Sequence, residues 1–205
     1  AGTAAGSYEA DYFATLSDEE LEQTFGGVAV LITDTERATY EALPPDAKRR
    51  YLTEFFQRQN PNPGSAGNLF LEDYLSRIAT IRARYDEQVG TEERMPWYTD
   101  RGRIYLKYGE PQDRVVNYSP SDLGGPSGVG GSYAGEPPYE IWQYQTTSFV
   151  YLFVQDDRFN HWRLIYSTDP DIASIADWYN RCGPSAKQDL QTNFGINTRF
   201  LTGLE

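Results

Sequence analysis

The stretch Pro96-Trp-Tyr-Thr-Asp-Arg-Gly-Arg-Ile-Tyr-Leu-Lys-Tyr-Gly-Glu-Pro111 is where the pattern of the chain changes. Before it, apolar residues return every three to four positions. From Arg103 onward Ile104, Leu106 and Tyr108 alternate with Tyr105 and Lys107, and Gly109-Glu-Pro111 ends the run. Alternation at period two sends successive side chains to opposite faces of a strand. A strand over 103–108 is therefore expected, with helices before it and further strands after it.

Upstream, residues 1–16 are small, polar and aromatic without a period and suggest an extended acidic arm. Ser17 with Glu20 forms a capping box, which opens a helix carrying Leu21, Thr24, Phe25, Val28 and Ile32, weakened by Gly26-Gly27. Pro44-Pro45 starts a second helix through Ala47, Tyr51, Leu52, Phe55 and Phe56. After the loop Asn60–Gly67, Asn68 caps a third, with Leu71, Tyr74, Leu75, Ile78, Ile81 and Tyr85 near a 3.6-residue period and an end before Gly90. Downstream, 114–118, 139–145, 148–155 and 161–166 suggest strands, with a Gly/Pro-rich loop over 119–138 and a turn over 156–160. Asp171 is placed to cap a last helix through Ile172, Ile175, Ala176 and Tyr179. The expected fold is α+β: N-terminal helices packed on a small antiparallel meander of about five strands, with extended arms at both ends. Its boundaries are an arm over 1–16, a domain over 17–182 (helices 17–90, sheet 97–167, helix 171–182) and a polar tail over 183–205 with at most one more short helix.

The bulk properties narrow the function. Sixteen Tyr, ten Phe and four Trp in 205 residues supply a core despite few aliphatic runs. A net charge of −12 argues against nucleic acid and against an electrostatic hold on anionic lipid. Eight carboxylates (Glu9, Asp11, Asp18, Glu19, Glu20, Glu22, Asp34, Glu36) precede the first basic residue, Arg37, either as a solvated face or as a surface for a basic partner. One cysteine, Cys182, excludes an internal disulfide, and one His with one Cys argues against zinc. No apolar run approaches the ~18 residues of a membrane span. The small-residue start AGTAAGS is that expected of a processed, exported chain, periplasmic or extracellular.

The run from Thr99 to Pro111 resembles the signature of the GWxTD-domain family of bacterial proteins. The similarity continues in Tyr139-Glu-Ile-Trp-Gln-Tyr144, Phe149 to Asp157 and Trp162-Arg-Leu164, and upstream in Phe55 to Pro63 and Asn68 to Arg82. It covers about residues 45–170, with Pro96 standing where the name-giving Gly would be. The resemblance implies an extracytoplasmic envelope protein and brings no catalytic mechanism with it. Chains of this kind occur in phyla that include phototrophic gemmatimonads, which implies an accessory role in a photosynthetic reaction-centre complex. Trp97, Thr99, Asp100, Arg101, Gly102, Arg103, Tyr105, Gly109, Pro111 and Trp142 are the motif residues, each with a structural role expected.

Asp100 between arginines would be held ionised, the wrong direction for a general acid at neutral pH. Tyr105, Tyr108, Tyr139, Trp142 and Tyr144 form either an aromatic ligand cage or cross-strand core pairs. Any nucleophile–histidine pair must use His161, and no Gly-x-Ser-x-Gly elbow accompanies it. Asp156-Asp157 and Asp169-Pro-Asp171 lack the alternation of a calcium loop, and Gly124–Gly131 lacks the Lys of a phosphate loop. No catalytic, cofactor or metal residue is assigned. The expectation is a non-catalytic structural subunit bound to protein subunits of an envelope or membrane complex, anchored by Tyr8, Tyr12, Phe13, Phe194 and Phe200. The alternatives are a carbohydrate- or peptide-binding envelope module and a hydrolase using a carboxylate pair that no motif selects.

Overall fold

The computed structural model describes residues 7–85, 87–89, 92–93, 95–118, 136–155 and 161–197. The fold is mixed α+β, and the chain divides into two compact units, Ala1–Asp86 with Met95–Tyr98, and Glu87–Arg94 with Thr99–Glu205. The backbone therefore passes between units three times within the dozen residues before Thr99.

The first unit is helical: α1 (Ser7–Thr15), α2 (Asp18–Val28), α3 (Asp34–Glu41), α4 (Pro45–Gln59), α5 (Leu69–Arg84) and a 3-10 turn at Pro96–Tyr98. The expected arm is instead α1 over most of its length. Phe13 is fully buried and stacks on Phe56 of α4, with ring centroids 5.5 Å apart. The period was hidden because only Glu9 and Phe13 of this short helix face inward among the described side chains, and one of them is a carboxylate. Ser17 and Glu20 make the expected capping box at α2, and a second, Thr33 with Glu36, starts α3. The helix expected through Ile32 ends at Val28, and α3 is an additional helix beyond it.

The Gly26-Gly27 pair is a packing requirement rather than a weakness in α2. A Cβ on Gly27 would lie 2.2 Å from the Tyr74 hydroxyl, which donates to the Thr24 carbonyl at 2.8 Å. A Cβ on Gly26 would lie 2.7 Å from Trp97 Nε1. Asn68 does more than cap α5. Its buried side chain accepts from the Leu71 amide and donates to Glu9 Oε1 (2.7 Å) and to the Phe56 carbonyl (2.8 Å), tying α1, α4 and α5 at one point.

The second unit holds a two-residue hairpin, β1 (Gln88–Val89) with β2 (Glu92–Glu93), then α6 (Asp100–Tyr108) and four strands. These are β3 (Asp113–Asn117), β4 (Tyr139–Tyr144), β5 (Phe149–Gln155) and β6 (Trp162–Ser167), all antiparallel and in meander order. α7 (Trp178–Arg181) and α8 (Gly183–Phe194) follow. The sheet has four strands rather than about five because 103–108 is helix. Thr99 Oγ1 accepts from the Gly102 amide at its start, and Gly109, at φ 78°, ends it. Arg101, Ile104, Tyr105 and Tyr108 have the i, i+3, i+4, i+7 spacing of a helix face, and the first three are buried. The apparent alternation came from Leu106, which is buried as well.

Both faces of the sheet are covered, so β4 and β5 are buried almost throughout. One face (Tyr139, Ile141, Val150, Leu152, Val154, Ile165) joins Trp178, Cys182, Ala186 and Leu190 in an apolar cluster. On the other, Trp142 meets Tyr105 of α6 edge-on and Phe153 at 4.7 Å. Two C-terminal expectations change. The helix expected from Asp171 starts near Asp177, and α8, where a tail with at most a short helix was expected, has 12 residues and places Leu190 in the core cluster. Most of the 119–138 loop, the 156–160 turn and Phe200 lie outside the described residues.

Trp97, Ile104, Leu106 and Trp142 are all buried. Replacing Trp142 by Ala is expected to cost ~3–5 kcal/mol, read as a lower midpoint in a urea melt. An unchanged midpoint would contradict the packing described for this face of the sheet.

Candidate functional site

The motif residues of the second unit converge on one buried charge network. α6 begins at Asp100, so Arg101 stands in its first turn and points toward the sheet rather than to solvent. Its Nε and one terminal nitrogen lie 2.9 Å from Glu87 Oε1, and its other terminal nitrogen lies 3.1 Å from Glu140 Oε1. The guanidinium also lies over Trp162, 4.4 Å from the ring centre. All three charged side chains are almost completely buried. Glu140 Oε2 accepts from Trp142 Nε1 at 2.8 Å and pairs with Arg114 at 3.0 Å. Glu87 Oε2 accepts from the Trp162 amide at 3.0 Å.

Burial pushes the Glu87 carboxyl above its ordinary value of 4.5, and the Arg101 charge and the Trp162 amide pull only part of the way back. A raised carboxyl is what a general acid needs, but both Glu87 oxygens are engaged and the side chain is closed off from solvent. The arrangement holds the fold instead. Asp100 belongs to the same system: its Oδ2 accepts from the Leu164 amide at 2.8 Å, and its Oδ1 pairs with Arg103. Leu164 and Trp162 are on β6, the last strand of the sheet, so two carboxylates receive its outward amides. The Ser174 hydroxyl receives the Ser167 amide, and the Ile165 carbonyl accepts from the Ile175 amide. Unpaired strand edges invite association with other strands, and this edge is covered along most of its length.

The remaining motif residues have similar roles. The Tyr105 hydroxyl donates to Glu110, and the Gly109 carbonyl accepts from the Tyr144 hydroxyl at 2.8 Å. Pro111 is buried at the turn into β3. Of the five aromatics considered as a ligand cage, Tyr105, Tyr139, Trp142 and Tyr144 are buried and Tyr108 is half-buried. Asp169 accepts from the hydroxyls of Tyr108 (2.9 Å) and Tyr151 (2.8 Å) and from the Asp171 amide. Burial would raise its carboxyl, but these donors and Lys107 outweigh burial and hold it below its ordinary value.

His161 is half-buried just before β6. Cys182 is fully buried in the apolar cluster, which pushes its thiol up to about 11. Among the described residues no group of three or more His, Cys, Asp or Glu is placed to hold a metal ion. The proposed partner anchors fare unevenly: Tyr8 is exposed and Tyr12 half-buried, whereas Phe13 is inside the first unit and Phe194 packs against the second unit's core cluster. Sequence reasoning missed Glu87 and Glu140. Glu140, between Tyr139 and Ile141 in an apolar strand, was the available signal for a buried charge. No family model, no curated protein and no solved structure matches the chain.

Two measurements check the network. Arg101→Met strands two buried carboxylates and is expected to cost about 3–5 kcal/mol, seen as a lower melting temperature. Glu87 has a raised folded pKa, so its contribution to stability is fully present below 4.5 and is lost as pH rises through the folded value. The stability of the parent relative to Glu87→Gln should therefore fall as pH increases from 4.5 toward neutrality. A flat difference would show that Glu87 does not titrate as its burial requires.

Proposed function

We propose that this chain is a non-catalytic interaction and structural subunit of an extracytoplasmic, membrane-associated protein complex. The observation that carries this reading is the fate of the signature run. Arg101 of the run is buried against Glu87 and Glu140, and Asp100 accepts from the Leu164 amide, so these two charged side chains are engaged in holding the second unit together. Four of the five aromatics that a carbohydrate-stacking platform would need are buried.

The described surface supports a contact role. Tyr8, Leu69 and Tyr98 of the first unit are 41%, 52% and 57% exposed. Tyr8 and Leu69 adjoin Glu9 and Asn68, whose side chains are hydrogen-bonded, so the two exposed residues flank one junction. Asp11 and Glu19 are exposed on α1 and α2, beside Asp18 and Glu22, which pair with Arg49 and Lys48 of α4, and this acidic surface is what a basic partner would meet. No helix among the described residues is long and apolar enough to cross a membrane. The resemblance to the GWxTD family adds the envelope address, and a photosynthetic reaction-centre assembly is the host to test first.

The test is purification of the tagged chain from native membranes in mild detergent without crosslinking. Defined protein subunits are expected to accompany it in fixed ratio. Tyr8→Ser combined with Leu69→Ser should release them with the melting temperature preserved, and His161→Gln should leave the assembly intact. Recovery of the parent chain alone, at its own mass, would sink the proposal.

A further inference from the structure

We infer that α3 is a strap that lifts from the first unit, and that its Tyr40 plugs a slot between α2 and α4 suited to a phenylalanine side chain of a protein partner. The partner rests on the interaction reading above, whereas the strap and the slot do not. Between Val28 and Leu52 a single side chain is buried, that of Tyr40. Every hydrogen bond and ion pair of α3 stays within residues 29–43. They are the Thr33–Glu36 capping box, Thr39 on the Thr35 carbonyl, Arg37 on the Ala29 carbonyl and beside Asp34, and backbone bonds of the helix and its ends. None reaches α4 or α5. A segment held by so little buried surface belongs to the part of a fold that opens first.

The slot is built without α3. Its walls are Phe25 of α2, parallel to the Tyr40 ring with centroids 3.4 Å apart, and Tyr51 of α4, edge-on at 5.4 Å. Lys48 Nζ stands 5.0 Å from the centre of the Tyr40 ring and pairs with Glu22 at 2.7 Å. Arg49 pairs with Asp18 at 2.9 Å, so two ion pairs join α2 to α4 whether or not the strap is down. Tyr40 is an imperfect plug. Its hydroxyl is buried with no hydrogen-bond partner, and so is that of Tyr51. A buried, unpartnered hydroxyl works against closure, and lifting the strap returns both hydroxyls to water. A phenyl ring offers the same two faces for stacking and has no hydroxyl to desolvate, so it loses less on entering this slot than the tyrosine that the chain supplies.

The test begins with amide exchange of the full chain under native conditions. A helix of 8 residues is not stable in water unsupported. The α3 amides are therefore expected to exchange by local opening, about tenfold or more faster than those of α4. Tyr40→Phe removes the stranded hydroxyl and should slow α3 exchange roughly tenfold. Tyr40→Ala empties the slot. Toluene should raise the melting temperature of that variant, and p-cresol should bind it roughly tenfold more weakly, because its hydroxyl meets no partner. In purification from membranes, Tyr40→Phe should bind the accompanying subunits roughly tenfold more weakly than the parent, since the slot is open less often. If Tyr40→Ala does not fold, exchange in the parent and in Tyr40→Phe decides. α3 amides that exchange no faster than those of α4, or at the parent rate in Tyr40→Phe, overturn the strap. p-Cresol matching toluene, or undiminished subunit binding by Tyr40→Phe, overturns the phenyl slot. A parent chain that brings no subunit with it fails the interaction reading instead, and the exchange and toluene results still decide the strap and the slot.

Discussion

A guanidinium sealed between two buried carboxylates is the constraint on which the second unit depends. Burying Glu87 or Glu140 alone would carry a desolvation penalty of several kcal/mol. Arg101 reduces that penalty, for Glu87 only in part, and each remaining carboxylate oxygen also finds a donor, the Trp162 amide for Glu87 and Trp142 with Arg114 for Glu140. Such networks are weak devices for stability compared with apolar packing of the same volume. Their effect is selective, since a one-residue shift in β4 or a different pitch of α6 would strand a charge. Glu140 thereby ties the register of the central strand to the first turn of a helix 39 residues away.

The same network explains why the unit has two different faces. On the α7–α8 side the contact is mainly aliphatic and aromatic, joined by a hydrogen bond from the Tyr139 hydroxyl to Asp189 of α8. On the α6 side hydroxyls and indoles are mixed with charge: Tyr108 and Tyr151 on Asp169, Tyr144 on the Gly109 carbonyl. Large aromatics serve there because each carries apolar area together with one polar tip. The first unit repeats the device at smaller scale, where Asn68 holds Glu9 and the end of α4 inside an otherwise aromatic core.

Much of this was legible in the sequence, and the failures have identifiable physical causes. Strands β4, β5 and β6 were readable because turn residues bracket apolar runs of strand length, and α5 because Asn68 precedes a clear 3.6-residue stripe. The motif helix was misread because α6 is covered on more than one side, so Leu106 is apolar where a half-exposed helix would be polar. α1 and α8 were taken for arms because short helices need few apolar residues: Phe13 suffices with a buried Glu9, and Leu190 with Ala186. At the site, the capping role of Thr99 and the pairing of Asp100 with a neighbouring arginine were readable from the run, whereas Gly102 is a buried residue of α6 and not a turn glycine at positive φ. The partners of Arg101 were not readable, because Glu87 and Glu140 are brought to it by tertiary folding across 14 and 39 residues.

The covering of β6 has a consequence for the order in which the chain is made. Glu87 precedes its amide partner Trp162 by 75 residues, and Asp100 precedes Leu164 by 64. During synthesis, at roughly 5–20 residues per second, both acceptors have left the ribosome several seconds before the strand they will close. When β6 emerges and adds to β5, the groups that stop any further strand from adding are already waiting. A rearranged gene that placed residues 87–100 after β6 would encode the same contacts in the reverse order. Each nascent chain would then carry an open sheet edge through the interval in which neighbouring chains are closest.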